Sequence, residues 1–334
     1  MRELERIAEL IRSSERICIA AHLNPDGDCI GSSLALSRIL RLMGKTVHVY
    51  DRDPAPSYMD YMDGFHAIRR VSEGAEKYDL FIAVDCSGLD RIVNFRDEAQ
   101  KAALDALLAR CGHIVQIDHH GTNPRGLEVN AVDEDASAAG LLIWRLMKIL
   151  GVPMDREIAE CLYTAVATDT GNFSQDNVRP ECFDMMSEIA RTPVQLSRLC
   201  RILFAQRSHA QVGLITSALQ TLCYREHDTV TGMMLTEDDM AKHGAMAEDA
   251  DTVVNFGRDI RGVHMTVLAR ETEEGVKMSF RSIAPWRIDE VAKQFGGGGH
   301  AQAAGCTIPG ARAGEALEAA LDALCEAHRQ QEGA

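Results

Sequence analysis

Four separated stretches of this 334-residue chain carry aspartates and histidines in patterns that could do chemistry. The first is His22-Leu23-Asn24-Pro25-Asp26-Gly27-Asp28. The second is Asp85, which closes the apolar run Asp79–Val84. The third is Asp118-His119-His120, which follows His113–Ile117, and the fourth is Asp169 in Ala167-Thr168-Asp169-Thr170-Gly171. Each has a bland explanation. Asp-Gly-Asp is a common turn, an aspartate after a strand is a common helix cap, and a His-His pair can be one packed ring beside one solvated ring. Together they are harder to explain away. Carboxylates and imidazoles without thiolates suit a hard divalent ion such as Mn²⁺ or Mg²⁺, and packing so many acids together without a cation would be costly.

These groups need elements that deliver them to one place. Arg16–His22, Thr46–Tyr50, Asp79–Asp85 and His113–Asp118 read as buried strands. Helical spacing occupies Ser32–Met43 and Glu98–Cys111. Strands apolar on both faces and separated by helices predict a parallel α/β sheet. In such a sheet ligands bind beyond the carboxyl ends of the strands, where His22, Asp85 and Asp118-His119-His120 fall. Residues 137–191 read as three helices. The pattern changes near Thr192-Pro193, and residues 194–223 read as an almost wholly helical connector. Short strands (Val230–Thr236, Gly262–Arg270, Val276–Ser282) and helices then predict a smaller second α/β domain. A chain of this length also exceeds one ordinary core, since domains run at roughly 100–200 residues.

Charge and cysteines bound the function. With 35 Lys plus Arg against 50 Asp plus Glu, the net charge is −15. That excess argues against wrapping a long duplex, which needs many phosphate-neutralising cations. It still permits a nucleotide held through metal ions. The ten cysteines are scattered, with no C-x-x-C pair, so a zinc ribbon or thioredoxin-type site is not expected. No apolar run approaches the ~18 residues of a membrane span. Met1 leads into Glu3-Leu4-Glu5-Arg6 without an apolar signal core. A cytoplasmic protein with reduced thiols and no membrane partner is the expectation.

A last motif lies in the second half, Gly296-Gly297-Gly298-Gly299-His300-Ala301-Gln302-Ala303-Ala304-Gly305. Consecutive glycines let backbone N–H groups approach an anion closely, although alone they would read as a flexible turn. Arg281, ending a strand shortly before, could fork onto a terminal phosphate or form a surface salt bridge. Arg258 and Arg261 are weaker candidates.

His22–Ser32, Val84-Asp85, Asp118-His119-His120 and Thr168–Gly171 resemble the four motifs of the DHH phosphoesterase superfamily. The Gly296–Gly305 stretch resembles the signature of its DHHA1 domain. The resemblance implies a DHH catalytic domain at 1–191, a helical linker at 192–223 and a DHHA1 substrate-binding domain at 224–334, with a cleft between the domains. It implies two divalent metal ions, Mn²⁺ foremost, with Mg²⁺ and Co²⁺ left open. One ion would be held by His22, Asp26 and Asp85. The other would take Asp28, Asp85, His119 and Asp169, with Asp85 bridging. Hydroxide formed between the metals would attack phosphorus. Asp118 would support its neighbouring ligands, and His120 would face the phosphate and protonate the leaving oxygen. Asn24, Gly297, Gly298, Gly299, His300 and Arg281 would contact substrate. One departure is Ser174, where relatives sometimes carry a basic residue, which leaves the local phosphate contacts open.

Two domains with no added module most resemble the superfamily's bifunctional oligoribonucleases that also dephosphorylate 3′-phosphoadenosine 5′-phosphate. Short RNA and nucleotide bisphosphates are then the expected substrates. Hydrolysis of cyclic di-AMP or linear pApA is the alternative, and a non-catalytic nucleotide sensor is a third reading. The sequence leaves monomer and homodimer open.

Overall fold

A computed structural model describes residues 2–333, which fall into two compact units divided between Gln206 and Arg207. The first unit begins with α1 (Arg2–Ser13), β1 (Arg16–Ala20), α2 (Gly27–Leu42), β2 (Thr46–Asp51) and β3 (Arg69–Arg70). It continues through β4 (Tyr78–Val84), α3 (Glu98–Leu108), β5 (Cys111–Asp118) and β6 (Val129–Val132). The helices α4 (Ala139–Leu150), α5 (Arg156–Asp169), α6 (Pro180–Ile189) and α7 (Leu196–Cys200) close it. The sheet is parallel throughout, in the order β3-β2-β1-β4-β5-β6.

Strand patterning explains the layers. Along β1, Ile17 and Ile19 join the larger core, whereas Cys18 and Ala20 join a smaller one on the opposite face. Alternate residues of β4 divide the same way: Leu80, Ile82 and Val84 against Phe81 and Ala83. Both faces of the sheet are therefore buried, as the near-continuous apolar runs require. Helices α1, α2, α4 and α5 contribute to the larger core, and α3 contributes Leu104 and Leu107 to the smaller one. Strand order reverses between β1 and β4, so the crevice of this sheet lies where those two strands end.

The second unit comprises α8 (His209–Gln220), β7 (Cys223–Arg225), β8 (Val230–Leu235), α9 (Glu237–His243), α10 (Asn255–Arg258), β9 (Met265–Thr272) and β10 (Gly275–Ser282). It ends with α11 (Asp289–Gln294), β11 (Gly298–His300), β12 (Ala303–Ile308) and α12 (Ala313–Glu332). Its six-stranded sheet is mixed, ordered β11-β12-β10-β9-β8-β7, with β8 and β9 the parallel pair. One face packs on α12 through Leu317, Leu321 and Leu324, the other on α8 through Leu214 and Ala218.

The structure moves several boundaries. Helix α2 starts at Gly27 rather than Ser32, because Asp26 accepts a hydrogen bond from Cys29 N at 3.0 Å and caps it. Strand β6 and the hairpin β11–β12 are additions. Residues 194–223 contain α7, with Leu199 in the first unit's core, and α8, with Leu214 in the second's. Among the described residues no helix is long and apolar enough to cross a membrane, and all ten cysteines are free.

Candidate active site and metal centre

Every candidate side chain of the first unit sits just past a strand end or at a helix terminus. The His22–Asp28 loop follows β1, and Asp85 follows β4. Asp118 ends β5 with His119 and His120 behind it, and Asp169 is the last residue of α5. Helix α5 reaches the strand ends because it packs tightly on α2. A Cβ on Gly31 would stand 2.5 Å from the Cys161 carbonyl oxygen and 2.9 Å from Ala165 N, so only glycine allows this approach. Two of the loops are conformationally restrained: Asn24 and Asp85 adopt left-handed φ values of 56° and 52°, a state side-chain-bearing residues occupy at a cost.

Asp85 stands at the centre. It is 2% exposed, with Oδ2 3.5 Å from His22 Nε2 and Oδ1 3.4 Å from His119 Nε2. On the Oδ2 side, His22 Nε2 is also 3.9 Å from Asp26 Oδ1. On the Oδ1 side, His119 Nε2 is 3.7 Å from both Asp28 Oδ2 and Asp169 Oδ2. The donor atoms of His22, Asp26 and Asp85 lie within 4.8 Å of one another, and so do those of Asp28, His119 and Asp169. One carboxylate thus stands between two donor sets.

The histidines are aimed from behind. His22 Nδ1 is 2.9 Å from the Leu23 carbonyl and His119 Nδ1 is 3.2 Å from the Ala136 carbonyl. Each ring donates there, which leaves Nε2 facing the carboxylates. His120 Nδ1 donates to Asp118 Oδ1 at 2.8 Å, and Asn123 Nδ2 donates to Asp118 Oδ2 at 2.6 Å. Asp118 is fully buried and committed to this support.

Electrostatics show a site under charge stress. Burial alone would lower the two imidazoles, but the facing carboxylates, Asp85 foremost, push His22 up to about 9 and His119 up to about 10. Burial raises the Asp28 carboxyl well above its ordinary value, and the charges of Asp85 and Asp169 add to it. Asp169 is pushed up to about 6, by burial first and then by Asp85, against the opposing pull of His119. Asp85 alone moves down. Burial would raise it, but His119 and His22 on either side overcome that. Its Oδ1 is nonetheless buried without a hydrogen bond. An orphaned carboxylate oxygen among imidazole nitrogens and further carboxylates fits a divalent cation that takes the place of the imidazole protons, and the all-O/N donor set fits a hard one.

The second unit places its candidates in a row. Arg281 of β10 and His300 of β11 both pair with Ala303 of β12. Directly opposed residues share a sheet face, so the two basic side chains flank a small one, roughly 10 Å apart at two strand spacings. Arg281 donates to the Phe280 carbonyl at 2.8 Å. Burial lowers its pKa, and the Arg258 charge lowers it further. Gly298 and Gly299 pair with Gly305 and Ala304. A Cβ on Gly299 would stand 2.5 Å from the Ala303 carbonyl oxygen, so close strand approach explains this glycine without a ligand.

Two supports of the motif residues, the start of α4 and Asp53, lie outside the motifs. Asp28 is 0% exposed and accepts hydrogen bonds from Ala139 N (2.6 Å), Gly140 N (3.0 Å) and Ser32 Oγ (2.7 Å). Asp53 accepts one from Asn24 N at 2.9 Å. Only Asn123, five residues after Asp118, was findable, as a polar residue in the loop following the His-His pair.

This chain is similar to known proteins over nearly its whole length. The model of the DHH family, N-terminal domain, matches residues 16–166, and that of the DHHA1 domain matches residues 219–329. It is 33% identical over 331 residues to the bifunctional oligoribonuclease and PAP phosphatase NrnA of Thermus thermophilus, covering 97% of this chain and 94% of the relative. The chain belongs to the DHH family. The Bacillus subtilis protein of the same description is 26% identical, covering 96% of this chain and 99% of that one. Among solved structures, an exopolyphosphatase-related protein of Bacteroides fragilis matches with a TM-score of 0.88 at 26% identity, covering 97% of each chain. As a DHH-family protein with this donor set, the chain is a metal-dependent hydrolase of phosphoester bonds.

Proposed function

We propose that this DHH-family hydrolase cleaves short oligoribonucleotides, dinucleotides to pentanucleotides, to mononucleotides and converts 3′-phosphoadenosine 5′-phosphate to AMP. The observation that carries the reading is the Asp85 carboxylate, with one oxygen toward His22 and the other toward His119. The full-length similarity to proteins described as NrnA supports the substrate class.

Two divalent cations, Mn²⁺ foremost, would be held by His22, Asp26 and Asp85 and by Asp28, Asp85, His119 and Asp169. Bound there, they supply acidification of a water molecule and neutralisation of phosphoryl charge. The chain does the rest. Hydrogen bonds to the Leu23 and Ala136 carbonyls hold His22 and His119 in the ligating tautomer. Asp118 orients His120 and favours its protonated form, raising its pKa. His120 thereby keeps a proton at Nε2 for the leaving oxygen. Asn24 contacts the phosphate beside His22. Residues 1–191 form the catalytic domain, with 192–223 as linker. Residues 224–334 bind the nucleotide through Arg281, Gly297, Gly298, Gly299 and His300.

A substrate panel tests this. The protein with Mn²⁺ is incubated with a pentaribonucleotide, 3′-phosphoadenosine 5′-phosphate, pApA and cyclic di-AMP, and initial rates are compared. Turnover of the first two, abolished by Asp85→Ala, is the expected result. Faster turnover of cyclic di-AMP than of any other substrate would overturn the substrate assignment. Turnover of none would overturn the enzymatic one.

A further inference from the structure

A basic cavity of 260 Å³ opens at the same edge of the first sheet as the metal centre, lined by Arg52, Asp53, Arg70, Ser72, Val93 and Gln100 among others. Its position follows from topology. Arg52 and Asp53 follow the last residue of β2, and Arg70 is the last residue of β3. Both strands run parallel to β1, so these residues project beyond the same carboxyl ends that deliver His22 and Asp85.

The loop after β1 is hydrogen-bonded to the lining of this cavity. Asn24 N donates to Asp53 Oδ2 at 2.9 Å, and Leu23 N donates to the Arg91 carbonyl at 2.7 Å. That second bond ties the loop to the segment that carries Val93. Asn24 is two residues from His22, so their Cα atoms are at most ~7.6 Å apart. The cavity is therefore a near neighbour of the donor cluster.

Its charge is opposite to that of the cluster. Arg70 donates to the Arg52 carbonyl at 2.9 Å, and Arg52 Nη1 lies 3.0 Å from Asp53 Oδ1. Two guanidiniums against one carboxylate leave a lining charge of +1. Asp53 is already committed to Arg52 and Asn24, which withdraws it from any incoming anion. Planar guanidinium forks match phosphate oxygens bidentately, and Ser72 offers a neutral donor. The volume accommodates a phosphate with its ribose, and a strand that crosses the metal centre needs a positive site a short step away.

We propose that this cavity binds a non-scissile phosphate of an oligoribonucleotide substrate whose scissile phosphate lies at the Asp85 centre. The site deepens the function proposed above and rests on it. It makes Arg52 and Arg70 the first unit's own determinants of preference for substrates carrying a second phosphodiester.

The test reads binding separately from turnover. Fluorescence anisotropy with 3′-fluorescein-labelled tetra-adenylate is measured on the full chain in EDTA, over a range of salt concentrations. Replacing Arg52 and Arg70 together by alanine should weaken binding roughly tenfold or more, the usual consequence of losing charge-assisted phosphate contacts. The salt slope of log K should fall by about 0.7 for the phosphate released. The double lysine variant should retain the slope. Ser72→Asp tests the same site without removing the Arg70–Arg52 hydrogen bond, and it should weaken binding similarly. Unchanged affinity and slope in the alanine and Ser72→Asp variants would overturn the proposal. Absence of turnover by the wild-type protein would instead overturn the functional reading, because the anisotropy slope reports on the cavity regardless.

Discussion

Replacing Asp28 by alanine should damage folding as well as metal binding, and this separates it from the other candidate ligands. The carboxylate is fully buried and holds the first turn of α4 through Ala139 N and Gly140 N, with Ser32 Oγ as a third donor. Both helix N–H groups belong to buried residues. Alanine would strand them, at roughly 1–3 kcal/mol for each unsatisfied buried donor. Part of this is returned, because a buried charge crowded by Asp85 and Asp169 disappears with the carboxylate. A net loss of about 2–3 kcal/mol is expected. Asp26→Ala loses only the Cys29 cap bond, about 1 kcal/mol. Among the described residues the Asp169 side chain makes no hydrogen bond, and burial first and then the Asp85 charge hold its pKa up, so Asp169→Ala should leave stability unchanged or higher.

The assay is urea unfolding in EDTA, followed by fluorescence, with the first-unit transition reported by Trp144 on α4. At the usual 2–4 °C per kcal/mol for a unit of this size, Asp28→Ala should also lower the thermal midpoint by roughly 4–12 °C. An Asp28→Ala protein as stable in EDTA as Asp169→Ala would refute the reasoning, since both remove one acid from the same cluster.

Other expectations follow from the same geometry. Mn²⁺ added to the EDTA-treated protein should stabilise the first unit by about 2.7 kcal/mol at 100 times Kd, and Asp85→Ala should abolish the corresponding rise of the midpoint in a thermal-shift titration. Gly31→Ala should cost about 1–3 kcal/mol through overpacking and reduce metal affinity, because α5 and with it Asp169 must move away from α2; calorimetric metal titration checks this. Glu76 is held at about 2, first by Arg69, whose Nη1 donates to it at 2.7 Å. A carboxyl depressed from 4.5 contributes stability above its unfolded pKa and loses it as pH falls toward 2. Glu76→Gln should therefore flatten the acid limb of the stability–pH curve between those values, and identical limbs would count against the pairing.

The parts of the site legible in sequence were those where local pattern and chemistry coincide. Apolar runs ending in Asp or His place His22, Asp85 and Asp118–His120 at strand ends from spacing alone, and the buried parallel sheet confirms why those runs are apolar on both faces. Strand β6, Val-Asn-Ala-Val, was illegible because four residues with one polar interruption carry too little pattern. The Gly298–His300 strand was illegible because glycine has no side chain to show a period. The dual role of Asp28 could not be read at all: its helix partners are 111 and 112 residues away, and only the packing of α2 against α4 brings them together. The Arg52–Arg70 cavity has the same origin, a strand pairing of Asp51 with Arg70 across a long irregular segment.

The candidate ligands also share a physical logic that spacing hides. Asp26 caps α2, Asp28 caps α4, Asp169 terminates α5, and Asp85 occupies a left-handed turn at the end of β4. Helix N-termini stabilise carboxylate charge, which offsets part of the burial that raises Asp26 and Asp28. Asp85 and Asp169 have no such helix N-terminus, and Asp85 is the one with an orphaned oxygen. Asp85 is also the acid that His22 and His119 hold in its charged form, and it stands between the two donor sets, so its charge faces a cation on either side. Selection of the ion at this site would then depend on Asp85 more than on any of its neighbours. Asp85→Asn, which keeps the shape and removes the charge, should weaken metal binding more than Asp26→Asn or Asp169→Asn when the three are titrated with Mn²⁺ side by side. Equal losses would show that no single acid of the cluster governs the ion.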